Sequence, residues 1–254
     1  MILLRAGNAS EWTGPTGNNT YLFTGSPSIL IDAGVGHPEH LEAIDRALGG
    51  APLDLVLITH GHVDHVAGVP ALVERWPRLM VRGGPGVPLR HGEVFTSSES
   101  CSVVSIATPG HSPDHFCFAD EAAGDVYCGD LARLGGTIVI PASRGGDLRE
   151  YLASLQRIRD LGPSRLLPAH GETIEDPDRV IDQYIAHRAE RDRQVRDALA
   201  AGCLTPEDIV ARIYPGLSAV LRPAALETVL AHLKGVRPLK GPDPDCPTHS
   251  GHEG

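Results

Sequence analysis

An α/β fold with a small helical appendage is what this sequence predicts, and three observations predict it. Up to about residue 175, short apolar runs bounded by Gly, Pro, Asn and Ser alternate with segments whose apolar residues recur at helical spacing. Beyond Glu175 the strand-like runs stop and charged helical segments take over. Within the first of these regions, the buried-strand run Leu55-Val56-Leu57-Ile58 leads through Thr59 into His60-Gly61-His62-Val63-Asp64-His65, a polar loop delivered at the end of a strand.

Taken in order, Ile2-Leu3-Leu4, Tyr21-Leu22-Phe23 and Ile29-Leu30-Ile31 read as strands separated by turn-forming residues, with 14–20 as a surface connection. Leu41, Ile44 and Leu48 place a helix over 38–48, with Glu39 and Glu42 in its first half. The strand into His60 follows, and this strand, helix, strand order gives an α/β layer within a mixed sheet. A second helix is expected over 66–76, beginning just beyond His65 and directing its amides towards the histidine-rich loop. Leu79-Met80-Val81 is a strand, 83–88 a breaker-rich loop, and 101–107 a strand that ends at Thr108-Pro109-Gly110-His111. The Pro-Gly pair makes that corner sharp, and Gly110 is read as letting the backbone approach the site.

Phe116-Cys117-Phe118 and Val126-Tyr127-Cys128 flank an acidic hairpin turn, and Asp130 emerges from the second strand. Leu148, Tyr151, Leu152, Leu155 and Ile158 form a helical stripe with Asp147 as its cap, closed by Gly162-Pro163. Arg165-Leu166-Leu167-Pro168 then carries His170 inward. A charged helix runs from about 180 to 201, Thr205 and Pro206 start another, and Leu226, Val229, Leu230 and Leu233 mark a third. The expected division is 1–177 as the main domain, 178–237 as a helical domain, and 238–254 as a flexible tail in which Cys246, His249 and His252 are not counted as a metal site.

Composition sets limits. With 254 residues, 41% hydrophobic and 21% charged, the chain has enough apolar material for one full core plus an appendage. No run approaches the roughly 20 apolar residues that span a bilayer, and residues 1–7 carry neither a basic leader nor a long apolar segment, so a cytoplasmic protein without a membrane partner is expected. Five cysteines without paired spacing argue against a disulfide framework, and Cys128 is assigned to its strand rather than to a metal. A formal charge of -10 speaks against a broad basic nucleic-acid surface. A nuclease remains compatible, because bound divalent ions contribute positive charge at a phosphate.

Three imidazoles and a carboxylate within six residues are costly inside a fold unless one partner satisfies them all, and a metal ion does so. His60 and His62, two residues apart, project to one side as the backbone leaves the strand, while Asp64 and His65 open the next element and face a second position. That geometry suits two metals better than one.

The motif His60-x-His62-x-Asp64-His65 resembles the signature of the metallo-β-lactamase-fold superfamily, which includes glyoxalase II and RNase Z. The resemblance extends to His111 in Thr108-Pro109-Gly110-His111, Asp130 in Cys128-Gly129-Asp130, and His170 in Pro168-Ala169-His170-Gly171, in the family's order. It implies a four-layer αββα fold. It also implies His60, His62 and His111 at one metal, Asp64, His65 and His170 at the other, and Asp130 between them. An Asn-Thr-Tyr-like strand and Asp32-Ala33-Gly34 would build the floor of the site, with Asp32 orienting a ligand by hydrogen bonding. His115, and with it Asp114, is assigned a structural or pocket-lining role. The helical tail resembles the branch that includes β-lactamase-like protein 2, whose C-terminal domain is winged-helix-like, and Ile185-Ala186-His187-Arg188 resembles that branch as well.

Imidazole with carboxylate suits zinc, although manganese and iron use the same ligand types. Two such ions hold a bridging water and lower its pKa towards roughly 7, which makes hydrolysis the expected chemistry, with Asp64 aiming the nucleophile. A flavodiiron-like redox role is disfavoured because His62 stands where those relatives carry a carboxylate. The expected substrate is a small-molecule ester or thioester. The alternative is an endoribonuclease acting on single-stranded RNA, with Arg188, Arg191 and Arg193 approaching a phosphate, against a plainer reading of those arginines as a solvated helix face.

Overall fold

The apolar runs form two five-stranded sheets in this computed structural model, which describes residues 1–98 and 101–235. The expected flexible tail at 238–254 lies outside the described residues. In the first sheet β1 (Ile2–Arg5), β2 (Asn19–Phe23), β3 (Ile29–Ile31), β4 (Leu55–Leu57) and β5 (Met80–Arg82) stand side by side in sequence order. The first three pair antiparallel and the last three parallel. Parallel neighbours need crossovers, supplied by α1 (Pro38–Leu48) and by the pair α2 (Val63–Val66) and α3 (Val69–Arg75).

The second sheet contains β6 (Val94–Ser98), β7 (Cys101–Ala107), β8 (Phe116–Asp120), β9 (Asp125–Gly129) and β10 (Arg165–Pro168) in the order β10-β9-β8-β7-β6. It is an antiparallel meander except for β10, which pairs parallel to β9 after a crossover through α4 (Leu148–Asp160).

Side chains alternate across each strand, so each sheet has two apolar faces to bury. Tyr21, Phe23, Ile31 and Leu57 of the first sheet meet Phe118, Tyr127 and Leu167 of the second. Tyr21 and Phe23 approach Tyr127 edge-on, with centroids 5.0 and 5.5 Å apart. On the outside of the first sheet, Leu22, Leu30 and Val56 lie under Ile44, Leu48 and Leu72 of the helices. On the outside of the second, Val126 and Leu166 lie under Tyr151, Leu155 and Ile158 of α4 and Ile181 and Tyr184 of α5 (Pro177–Ala200). The resulting stack is helix, sheet, sheet, helix.

The far half of α5 packs with α6 (Pro206–Ile213) and α7 (Arg222–Gly235) around Val195, Ala198, Ile209 and Val229. A capping box between Thr205 and Asp208, with Pro206 in the first turn, starts α6 where the sequence places it. Helix α7 also grips the 3₁₀ turn Ala142–Arg144: Glu227 accepts hydrogen bonds from the Ser143 amide and hydroxyl at 2.9 and 2.5 Å, and Lys234 donates to the Ala142 carbonyl at 2.7 Å. Among the described residues no helix is long and apolar enough to cross a membrane.

Several local expectations change. The helix expected over 66–76 is two helices, because the Gly68 amide turns to the Gly34 carbonyl at 2.9 Å and a Cβ at Gly68 would collide with the Ala33 carbonyl. Its first part starts before His65, so Asp64 and His65 are helical rather than lying ahead of the helix. Strand β6 is absent from the sequence expectation: only Phe95 and Ser97 of its alternating residues are buried, a weak apolar signal. The connection 14–20, expected on the surface, ends in buried Asn18, Asn19 and Thr20. At Gly110 the close approach is to the backbone of Tyr151 in α4, with φ at +132°.

Leu155 is wholly buried and Leu204 is 90% exposed. Leu155→Ala is therefore expected to destabilise the chain by about 2–5 kcal/mol, and Leu204→Ala by no more than about 0.5 kcal/mol, measured as urea midpoints at constant m-value.

Candidate metal centre

The seven side chains singled out in the sequence arrive from four connections, each at the carboxyl end of a strand: β4 for His60 to His65, β7 for His111, β9 for Asp130 and β10 for His170. Backbone hydrogen bonds join these connections. The Phe116 amide donates to the Thr59 carbonyl at 2.7 Å, Ala169 to Gly129 at 3.0 Å, and Asn19 to Ala169 at 2.7 Å. Asn19 Nδ2 also donates to the carbonyls of Pro168 and Gly171, and the Tyr21 hydroxyl to Pro168 at 2.7 Å, so the first sheet holds the loop that carries His170.

Two groups of donor atoms result: His60, His62, His111 and Asp130 in one, and Asp64, His65 and His170 in the other, with the atoms of each group within 4.8 Å of one another. His62 Nδ1 lies 2.9 Å from both His60 Nε2 and His111 Nε2. Asp130 joins the groups, with Oδ2 at 3.5 Å from His111 Nε2 and 3.8 Å from His65 Nε2, and Oδ1 at 3.2 Å from His170 Nε2. Asp64 Oδ2 sits 3.5 Å from His65 Nε2 and 3.4 Å from His170 Nε2.

Surrounding groups hold the rings in place. Asp32 accepts from the Thr59 amide at 2.8 Å and from the Thr59 hydroxyl, and takes His65 Nδ1 at 2.8 Å. It does so in a left-handed backbone conformation, φ +62°, which is uncommon for a residue other than glycine. Thr59 Oγ1 lies 3.1 Å from His60 Nδ1, and His111 Nδ1 donates to the Val139 carbonyl at 2.7 Å. In His60, His65 and His111, then, Nδ1 is occupied and Nε2 faces the cluster, the arrangement that sets the tautomer of a ligating imidazole. Asn18 Nδ2 fixes Asp64 Oδ2 at 3.0 Å. His115 turns both nitrogens to other tasks, Nδ1 to the Thr108 hydroxyl at 2.8 Å and Nε2 to the Asp130 amide at 3.1 Å, so it positions Asp130. Asp114 is bound by the Ser112 hydroxyl, and Cys128 lies in the core of the second sheet.

The electrostatics divide the two groups. Burial first, then the neighbouring His65 and His111, hold His60 well below its ordinary pKa. Burial and His111 push His62 down to about 4, and burial lowers His111. Burial opposes charge at His65 and His170 as well, but the carboxylates outweigh it: Asp32 and Asp130 hold His65 well above its ordinary value, and Asp130 with Asp64 raises His170 to about 9. Against the burial that would raise them, Asp130 is held well below the carboxylate range by His170 and His65, and Asp64 is brought to about 2 by the same two rings.

This donor set fits divalent cations. The first group offers neutral imidazoles with lone pairs converging on one point. The second draws in positive charge to match Asp64 and Asp130, and His65 Nε2 and Asp130 Oδ1 are buried with no hydrogen-bond partner. A cavity of about 560 Å³ opens over the centre, walled by Trp12, Val63, Ile138 and Arg144 and by Pro223 and Glu227 of α7. The contribution of α7 left no trace in the sequence, since an exposed helical residue reads the same whether it faces solvent or a cleft. Asn18 was hidden for a related reason, as a turn-forming type in a turn-rich stretch.

Asp32→Asn keeps the shape of the side chain and tolerates the left-handed backbone, but offers His65 an amide in place of a carboxylate. It is expected to weaken divalent-cation binding about 10–100-fold, read by competition with a chromophoric chelator; unchanged affinity would remove Asp32 from the site.

Comparison with known proteins agrees with this geometry. A family model of the metallo-beta-lactamase superfamily matches residues 13–78 and 78–170, and a model of the beta-lactamase associated winged helix domain matches residues 205–235. The chain is 35% identical over 243 residues to the beta-lactamase-like protein 2 homolog of Drosophila melanogaster, spanning 85% of this chain and 81% of that one. It is 34% identical over 228 residues to the atrochrysone carboxyl ACP thioesterase of Aspergillus fumigatus, spanning 80% and 70%. The crystal structure of a metallo-beta-lactamase family protein from Thermus thermophilus shares the fold, with a TM-score of 0.73 at 22% identity over 92% of both chains. Two facing mixed sheets between helices, a His/Asp cluster at their strand ends and a C-terminal winged-helix domain thus make this chain a member of the metallo-beta-lactamase superfamily of metal-dependent hydrolases.

Proposed function

We propose that this chain is a dinuclear hydrolase of small-molecule thioesters or esters, with zinc as its metal. The observation that carries the reading is the meeting of two donor groups at one shared carboxylate, Asp130. His60, His62 and His111 would hold one ion, Asp64, His65 and His170 the other, and Asp130 both. An imidazole has one free lone pair and cannot easily take Asp130's place, whereas a carboxylate has two oxygens. Bound there, two divalent cations supply Lewis acidity and bring the pKa of solvent towards about 7.

The chain's own residues do the rest. Asp64 is ionised across the working pH range and is fixed by Asn18, so its carboxylate accepts a hydrogen bond from the attacking solvent and aims it. Trp12, Val63, Ile138 and Pro223 give the cleft an apolar wall that suits an acyl chain and thins the water around the reacting carbonyl. A relative 34% identical carries thioesterase in its name, which supports thioesters as the substrate class. The alternative of RNA drew on three arginines, and these do not form one exposed basic surface. Arg193 pairs with Glu190 and Asp197 on the exposed side of α5, Arg191 stacks on Tyr214 at 4.3 Å, and Arg188 is buried, not part of a solvated face.

Asp64→Asn is expected to lower kcat for a generic thioester by about 10²–10⁴-fold. Assays of a thioester, a phosphodiester and single-stranded RNA run in parallel test the substrate class, and turnover of RNA alone, abolished by Asp64→Asn, would overturn it. Metal analysis of the purified chain is expected to find two divalent ions, and His170→Ala to lose mainly one of them. Equal loss of both would contradict the division of ligands.

A further inference from the structure

A second cavity, of about 460 Å³, lies between α4, α5 and α7, away from the seven clustered side chains. Its walls carry Arg149, Arg188, Arg196, Lys234 and His232 against two carboxylates, Asp147 and Asp192. Both carboxylates are engaged. Asp147 caps α4 by accepting from the amides of Arg149 and Glu150, and Asp192 pairs with Arg196 at 2.7 Å while its other oxygen lies 3.7 Å from His232 Nδ1.

Three cations are left with no carboxylate partner among the described residues. Arg149 reaches the Gly235 carbonyl at 3.4 Å, and Lys234 the carbonyls of Ala142 and Gly146 at 2.7 and 3.4 Å. Arg188 is 1% exposed: it lies 5.3 Å from the Tyr151 ring centre and donates Nη2 to the Ile138 carbonyl, while its Nε and Nη1 are buried with no hydrogen-bond partner. His232, also 1% exposed, has no hydrogen-bond partner at either ring nitrogen.

A guanidinium keeps its charge at any accessible pH, and a buried charge without a counterion is unfavourable. An oxyanion removes that penalty, and a planar guanidinium fork combined with an ammonium is a donor set suited to phosphate. The remaining wall, including Leu148, Leu152 and Ile185, is apolar and leaves room beyond a phosphoryl group. We infer that this cavity binds the phosphoryl group of a small phosphorylated molecule through Arg188, Arg149 and Lys234, with the organic part of the ligand on the apolar wall. The site does not depend on the metal chemistry proposed above.

Calorimetric titration of the full, metal-loaded chain with inorganic phosphate and with phenyl phosphate tests this, repeated on Arg149→Ala, Lys234→Ala and Arg188→Gln. The expected result is saturable binding, tighter for the ester, that weakens about tenfold or more in each variant. Arg149→Ala and Lys234→Ala change exposed residues and decide the matter should Arg188→Gln fail to fold. Affinity unchanged in both, or binding that vanishes when a chelator strips the metals, places the anion at the metal centre and overturns the proposal. An ester that binds no tighter than inorganic phosphate overturns the organic part of the ligand.

Discussion

Five imidazoles face one another at the centre of this protein, and three of them are held there by groups that take their outward nitrogens. Left free, rings at such separations would turn to hydrogen-bond each other or water. Asp32, Thr59 and the Val139 carbonyl prevent this for His65, His60 and His111. The strained backbone at Asp32 belongs to the same constraint, since its carboxylate reaches the Thr59 amide, the Thr59 hydroxyl and His65 together. Each of these contacts is a buried hydrogen bond whose loss would leave a polar group unpaired, which is why the arrangement is stiff.

That constraint accounts for the way the two sheets meet. Donor groups come from both, so the sheets must be locked at the end where their strands deliver them, and the locks are backbone hydrogen bonds from Phe116 to Thr59 and from Asn19 to Ala169. Between the sheets, Tyr21 and Phe23 wedge against Tyr127 and set the spacing behind the cluster. His115 completes the arrangement from within, using both nitrogens to hold the Thr108 corner and the Asp130 amide at fixed positions.

The C-terminal helices are part of the same structure. Tyr184 and Arg188 of α5 hold the carbonyls of Arg133, Gly136 and Ile138, and Glu227 and Lys234 of α7 hold the turn at Ala142–Arg144. The segment so gripped contains Val139, whose carbonyl orients His111, and Ile138, which walls the cleft. The C-terminal helices therefore reach the cluster through a loop of the main domain, and the buried Arg188 of α5 stands between the cleft and the cation-rich cavity behind it.

Much of this was legible in the linear chain. Short apolar runs bounded by turn formers located nine of the ten strands among the described residues, and β6 escaped because it carries only two apolar residues ahead of Thr96, Ser97 and Ser98. The loop from His60 to His65 was visible because such density of metal-ligating types is costly without a shared partner, whereas His111, Asp130 and His170 stood out only through the resemblance to a family. By itself the sequence determined most element types, the dense polar loop from His60 to His65 and the caps at Asp147 and Thr205, all of which depend on neighbours along the chain. Only the tertiary structure decided that Asn18 fixes Asp64, that His115 holds the Asp130 amide, that α7 walls the cleft, and that Arg188 is buried without a counterion. Those outcomes depend on contacts between residues far apart in sequence, about which local spacing carries no information.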